Sequence, residues 1–308
     1  MYIIKKILPI ILVLSMVISF SGCSTSDTGS HVLTPMDALT QEKTDPSQDS
    51  IPDPDNTSEP PLTTGSPTDT EVPDTEDDGK FIYKPFVPEE KLVCVTFDDG
   101  PNSYTAKILD KLEGTDSKVT FFVVGKRLSY QNYAPHTKRA IQQGHEIGFH
   151  SYGHEEKYTD LTLEEFQKQI ADTNKLLEKL GGKPITITRP VEGIYNKNTN
   201  YGYPLILWNV DTEDWRVNSS IKKGKDYDTA VTELANSIVK QAKSGSIILL
   251  HDMYKCSADA FIMAHDILID QGYKFVTVSE MLGIEGKDAS GYAFRSSSTA
   301  YYYGVKCT

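Results

Sequence analysis

The 308-residue sequence has little of several things that would direct it to common functional classes. It has four cysteines and no CxxC pair, so a structural zinc knuckle has no basis. It lacks a basic excess: 31 Lys and Arg stand against 43 Asp and Glu, for a formal net charge of −12, and no basic stripe suits a nucleic-acid partner. Its longest apolar run, Ile7–Phe20, has fourteen residues, whereas a stable membrane span needs about 20. Residues 24–80 hold almost no large apolar side chains. They cannot bury enough surface to offset the entropy of ordering.

The charge is also uneven. Residues 24–80 carry fourteen acids against Lys43 and Lys80, which is −12 on their own, while residues 81–308 are close to neutral at −2. The first 23 residues read as an export signal: Lys5 and Lys6, then the apolar run, then Ser21-Gly22-Cys23. Small residues just before a Cys resemble the bacterial lipobox. That resemblance implies cleavage before Cys23 and lipidation of its thiol, placing the mature protein on the extracellular face of the bacterial cell membrane. The expected organisation is a lipoprotein signal over 1–23, an acidic Ser/Thr/Pro-rich disordered linker over 24–84, and a folded domain over 85–308. As a flexible chain, the 57 residues 24–80 would span roughly 40 Å root-mean-square. With Cys23 lipidated, three cysteines remain. Cys94 sits in an apolar strand-like run and reads as a buried thiol, and the spacing leaves open whether Cys256 and Cys307 pair.

From residue 85 the pattern alternates strand and helix. Expected strands are Leu92–Phe97, Val119–Val124, Glu146–Phe149, Ile185–Thr188, Leu205–Asn209, Ser246–Leu250 and Lys274–Val276. Expected helices are Ser103–Leu112, Tyr133–Gln143, Thr162–Leu180, Ala230–Ala242 and Ala258–Asp270. Thr162 with Glu165 forms a capping box and Gly181 a stop. Thr277 with Glu280 caps a last helical turn. Continuous apolar strands separated by helices predict an α/β fold with a parallel sheet. About seven such units suit a distorted or incomplete (β/α) barrel, with an open doubly wound sheet as the alternative. Both architectures put function at the C-terminal ends of the strands. The Ser/Tyr-rich tail 287–308 gives no pattern.

The strand ends carry the polar chemistry. They read Thr96-Phe97-Asp98-Asp99-Gly100, His150-Ser151-Tyr152-Gly153-His154, Arg189-Pro190-Val191-Glu192-Gly193, Asp211-Thr212-Glu213-Asp214-Trp215 and Leu249-Leu250-His251-Asp252. None is specific alone: adjacent acids often cap or turn, and a pair of histidines with a glycine between them sits on a loop, unlike the helical face of a zincin. Their conjunction, each at a predicted strand end, is specific.

That conjunction resembles the polysaccharide deacetylase family of carbohydrate esterases, over roughly residues 85–285. The resemblance implies a distorted (β/α) barrel and a metal-dependent hydrolase that removes N-acetyl groups from an extracellular N-acetylglucosamine-type polysaccharide such as peptidoglycan or chitin. It implies metal ligation by Asp99, His150 and His154, with a divalent ion, first of all Zn²⁺, or Co²⁺, Ni²⁺ or Mn²⁺. Such an ion acidifies its water toward pKa ~7 and polarises the acetyl carbonyl. Asp98 becomes the general base, held by Arg189, and His251 the general acid, oriented by Asp214. Trp215 and Leu249 wall the acetyl pocket, and Asp252 supports its loop. The partners implied are an acetylated polysaccharide and, through Cys23, the membrane, for a monomer. One motif departs from the family pattern Arg-x-Pro-aromatic-Gly: here Val191 and Glu192 replace the Pro and the ring. Glu192 keeps the backbone N–H that helps bind the oxyanion, but sets a carboxylate in the substrate groove beside a developing anion, where it would repel acidic polymers. A xylan O-acetyl esterase and a non-catalytic carbohydrate-binding lipoprotein are the alternative readings.

Overall fold

The computed structural model describes residues 81–303. Cys23, the signal and the linker up to residue 80 lie outside the described residues, as does Cys307. Among the described residues no helix is long and apolar enough to cross a membrane.

Among the described residues nine strands form one curled, mostly parallel sheet. Strand β1 (Leu92–Asp98) lies at its centre, flanked by β2 (Thr120–Val124) and β6 (Ser246–His251), both parallel to it. β3 (Glu146–Ser151) pairs with β2, and β7 (Lys274–Phe275) with the start of β1. On the other side, β8 (Tyr292–Ser296) meets β6 antiparallel and carries β4 (Leu205–Ile206) in parallel and β9 (Thr299–Tyr302) as an antiparallel hairpin partner. β5 (Val210–Asp211) also pairs with β6. The two ends of this order, β3 and β4, are joined through one residue: Thr188 bridges Phe149 on one side and Leu205 on the other. The next residue is Arg189.

Strand side chains alternate between two cores, as a period of two requires. Val93, Val95, Phe97, Phe121, Val123, Phe149, Ile248 and Leu250 pack outward into the main core with the helices. Cys94, Phe122, Ile187, Ile206, Ile247 and Phe294 face inward, into a second cluster closed by Val278, Met281 and Leu282 of α7 (Val278–Leu282). The inward parity also covers Thr96, Asp98, His150, Arg189, Leu249 and His251. The interior is therefore apolar at one end and polar at the other.

The helices α1 (Ser103–Leu112), α2 (Ala134–Gln142), α3 (Leu163–Lys179), α4 (Asp214–Lys222), α5 (Tyr227–Gln241) and α6 (Lys255–Asp270) complete the fold. α3 illustrates how local sequence fixes an element. The Thr162 hydroxyl accepts from the Glu165 N–H at 3.2 Å, and Glu165 Oε2 accepts from the Thr162 N–H at 2.8 Å. Phe166, Ile170, Thr173 and Leu177 are its buried face, and Gly181 (φ 82°) follows its end.

Several expectations need correction. Ile185–Thr188 forms no strand beyond the single Thr188 bridge, and of the expected strand Leu205–Asn209 only β4 forms, with β5 starting just after Asn209. The segment changes neighbours there: the Leu207 N–H donates to Phe294 on β8, whereas the Asn209 N–H donates to Ile247 on β6. The tail that showed no pattern supplies β8 and β9, so the sheet is not purely parallel. Packing also starts before residue 85: Tyr83 is buried in the inner cluster, and its hydroxyl donates to the Ser297 carbonyl at 2.7 Å. Cys94 and Cys256 are buried free thiols.

Candidate metal and catalytic site

The polar end of the interior gathers residues from β1, β3, β6 and the loops that follow them. Asp98 ends β1 with its side chain inward and only 2% exposed. Asp99 then turns back in the left-handed region (φ 73°). His150 projects inward from β3, and His154, also left-handed (φ 75°), closes the loop after it. Among the described residues four non-glycines have positive φ, namely Asp99, His154, Glu192 and Glu213, and each belongs to one of the strand-end motifs. A side chain in that conformation costs ~1–2 kcal/mol. Its persistence in these loops marks the site independently of residue type.

The ligand set fits a metal on its own chemistry. His150 Nδ1 lies 2.9 Å from the Arg189 carbonyl oxygen. A carbonyl only accepts, so Nδ1 carries the hydrogen and Nε2 keeps the lone pair. That Nε2 is 3.3 Å from Asp99 Oδ1, and His154 Nε2 is 2.9 Å from the same oxygen. Asp99 Oδ1 is buried and accepts no hydrogen bond. One carboxylate oxygen and two imidazole nitrogens thus face one point, all within 4.8 Å of one another. A buried carboxylate oxygen left bare between two imidazoles is costly unless a cation completes it, and this donor set suits Zn²⁺ with positions left open.

Two carboxylates flank this centre, each with a fixed partner. Arg189 is fully buried; its Nη1 donates to Asp98 Oδ1 at 2.8 Å and to the Thr96 hydroxyl at 2.6 Å. Its Nε and Nη2 donate to the carbonyls of Ile206 and Leu207, and its guanidinium lies 4.1 Å from the centre of the Phe122 ring. Asp98 therefore has one oxygen committed, while Oδ2 lies 3.9 Å from His150 Nδ1. Opposite, Asp98 and His251 share a level in the β1–β6 ladder. His251 Nδ1 lies 2.7 Å from Asp214 Oδ1. Asp214 also accepts from the N–H groups of His251 and Trp215 and from the Ser257 hydroxyl. Burial alone would lower the His251 pKa, but the charge and hydrogen bond of Asp214, with Asp99 and Asp98 behind it, raise it to about 10.

The remaining expected residues divide. Leu249 is buried two positions before His251 on the same face, paired with Thr96 and Asp211. Trp215 is half-buried in the first turn of α4, with Arg216 stacked 4.8 Å from its ring. Asp252 is fully buried and accepts from the Thr105 hydroxyl, and a Cβ on Gly100 would run into its carboxylate, so it holds the loop that carries Asp99. Burial pushes its carboxyl up to about 7. Glu192 is exposed and paired with Lys157 at 2.6 Å. The lone negative charge expected in the groove is thus offset by a cation, and the expected repulsion of acidic polymers loses its cause. Thr96, Ser257 and Lys157 were missed: each is a common residue recognised only through the partner it touches.

This is a polar cleft at one end of a (β/α) barrel, with a His₂Asp cluster between an Asp–Arg and a His–Asp pair. Residues 87–204 match the family model described as polysaccharide deacetylase. A peptidoglycan-N-acetylglucosamine deacetylase of Bacillus cereus is 35% identical over 205 residues, 63% of this chain and 89% of that protein. The peptidoglycan-N-acetylmuramic acid deacetylase PdaC of Bacillus subtilis is 39% identical over 197 residues, 63% of this chain and 39% of its own length. Among solved structures, the Xyl-CE4 domain of a multidomain xylanase from the hindgut metagenome of Trinervitermes trinervoides superposes with TM-score 0.56 at 29% identity, covering 68% of this chain and 98% of that domain. The chain belongs to the polysaccharide deacetylase family. It spans about two fifths of the length of the first curated relatives it matches.

Proposed function

We propose that the protein is a membrane-anchored, metal-dependent deacetylase that removes N-acetyl groups from an extracellular N-acetylglucosamine-type polymer, peptidoglycan or a chitin-like glycan. The observation that carries the reading is the meeting of Asp99, His150 and His154 with two oppositely prepared proton-transfer groups at one end of the barrel. Asp99 Oδ1, His150 Nε2 and His154 Nε2 would hold the ion, with Zn²⁺ first and Co²⁺, Ni²⁺ or Mn²⁺ as substitutes. When bound it supplies Lewis acidity toward the acyl oxygen and toward an attacking water.

The chain's own residues divide the remaining work. Asp98, held in place by the Arg189 guanidinium at Oδ1, takes the proton of the water through its second oxygen. His251, kept protonated at Nδ1 by Asp214, donates from Nε2 to the departing amine. The Glu192 N–H supplies an oxyanion contact: the Gly193 and Ile194 N–H groups are used within the turn, bonded to Pro190 and Val191. Trp215 and Leu249 wall the acetyl group. The Cys23 anchor, the export signal and a monomeric state on the outer face of the bacterial membrane complete the proposal, supported by the sequence pattern of residues 1–80.

An acetate-release panel with defined divalent ions tests this. N-acetylglucosamine oligomers and peptidoglycan should yield acetate only in the metal-loaded protein. Acetylated xylan as the better substrate would favour the O-acetyl esterase reading, which the likeness to a xylanase's domain keeps in view. No release from any glycan would leave the carbohydrate-binding reading.

A further inference from the structure

The family motif's aromatic position is filled here by an ion-paired carboxylate, and the surroundings of that pair suggest a use. Glu192 follows Arg189 by three residues, and the Arg189 carbonyl is bonded to the ring of His150. Lys157 follows His154 by three. The Lys157–Glu192 contact at 2.6 Å therefore ties together the two loops that leave the His150 and Arg189 positions. Behind the turn, Gly193 lies against Trp208, whose ring a Cβ there would approach to 3.2 Å. Glu192 itself is in the left-handed conformation (φ 55°), with its side chain paired to Lys157. Both charged side chains are about one-third exposed, at 38% and 30%. Lys157 Nζ meets the carboxylate at Oε2.

We propose that Glu192 Oε1 is a fixed acceptor for a hydroxyl of a neutral sugar unit at the rim of the cleft, and that Lys157 is the positioning residue that aims it. The ion pair cancels the local charge, so the pair selects neither acidic nor cationic glycans. What it presents is a charge-assisted acceptor of set direction, which suits a sugar O–H. A ring at this position would instead offer an apolar face for stacking. The consequence is a different rule of selection: an acceptor fixed in place discriminates against sugars that lack the matching hydroxyl, more strongly than a flat apolar wall does. The inference rests on the deacetylase reading for its substrate class, and its test is arranged so that the two can fail separately.

The test measures binding without turnover. In the metal-loaded Asp98→Asn background, an N-acetylglucosamine pentamer is titrated calorimetrically. Glu192→Gly, which removes the acceptor and suits the left-handed backbone, should weaken binding about tenfold. Glu192→Gln keeps a carbonyl acceptor and should stay within about threefold. Lys157→Met should weaken binding severalfold, and Lys157→Arg should restore it. With Asp98 intact, the KM for the same oligomer should rise in Glu192→Gly. Thermal unfolding of each variant controls for folding, and if Glu192→Gly is unstable the Gln and Lys157 arms decide. Equal affinity in Glu192→Gly and its parent, no effect of Lys157→Met, or no pentamer binding by the parent overturns the proposal. Absence of acetate release by the unsubstituted protein, with the binding differences intact, instead overturns the deacetylase reading.

Discussion

Replacing Asp214 by Asn is the sharpest test of the proton-transfer reading, because it removes one charge and keeps the shape. In the structure, burial opposes the imidazolium of His251, yet Asp214 at 2.7 Å reverses the balance and lifts its pKa to about 10 from the ordinary 6.5. At ~1.4 kcal/mol for each pH unit, the net preference for the protonated ring is ~5 kcal/mol. Asp214→Asn removes the largest favourable contribution and leaves the burial, so the His251 pKa should fall to about 6.5 or lower. A divalent ion held nearby lowers both values and leaves the direction of the difference unchanged. The protonated ring is the acid, so activity is lost as pH rises through its pKa. At pH 8 a ring of pKa about 6.5 is only ~3% protonated, which predicts a loss of roughly 30-fold beyond any effect on orientation. Acetate release from pH 5 to 10 should show the alkaline limb moving down by several pH units, and imidazole NMR of the metal-free protein should show the same displacement. Stability follows the same sign. A raised pKa contributes stability fully below the unfolded value and loses it as pH rises toward the folded one. The variant should therefore be more destabilised at pH 6 than at pH 10. An alkaline limb that stays in place, or a His251 in Asp214→Asn that still titrates near 10, would refute the reasoning.

Three further outcomes follow from the same geometry. Chelation should abolish acetate release and a divalent ion restore it, and His154→Ala should weaken ion binding by orders of magnitude in competition with a coloured indicator; an unchanged affinity would remove His154 from the ligand set. Arg189→Met leaves the Asp98 charge buried without its partner, so urea unfolding should show a loss of about 3–5 kcal/mol, and the double change with Asp98→Asn should recover part of it. Cells should yield the mature protein with a lipid-modified Cys23 as its first residue, read by mass spectrometry after detergent extraction; a soluble form starting elsewhere would count against the anchor.

The candidate site was legible because its residues stand at strand ends, where apolar runs stop and the chain must turn. Asp98, His150 and His251 share the inward parity of their strands, so the sequence positions alone imply that they face one interior once the strands are known to be neighbours. What pairs with what was less accessible. That Asp214 belongs to His251 came only through the family resemblance, because it depends on the start of α4, which Glu213 opens in a left-handed conformation with no strong sequence signal. That Glu192 carries a cationic partner depends on Lys157, one of many lysines in the chain, and the partner changes the meaning of the altered motif from repulsion to a neutral polar contact.

The fold was legible in the longer, continuously apolar strands β1, β2 and β6, and illegible where the chain switches neighbours. Residues 205–211 change from β8 to β6 within four residues, a step that no periodicity records. Beyond Thr188 the ladder cannot continue, because the next donor to the Ile206 carbonyl would be the N–H that Pro190 lacks; that carbonyl accepts from Arg189 Nε instead, and the Leu207 carbonyl from Nη2. The ring of strands is thus interrupted beside the residue that positions Asp98: the backbone carbonyls left without a strand partner hold the guanidinium in place. β8 restores the barrel on that side. Its Tyr292 and Phe294 fill the interior beside Ile206 and Ile247, between β4 and β6, although it is nearly last in the chain. The tail that holds β8 showed no pattern in the sequence, and its place in the ring depends on the opening beside the short β4. The distortion of this barrel and the anchoring of its buried arginine are therefore one structural choice, and a substitution at Arg189 should disturb the pairing of β4 as well as the charge on Asp98.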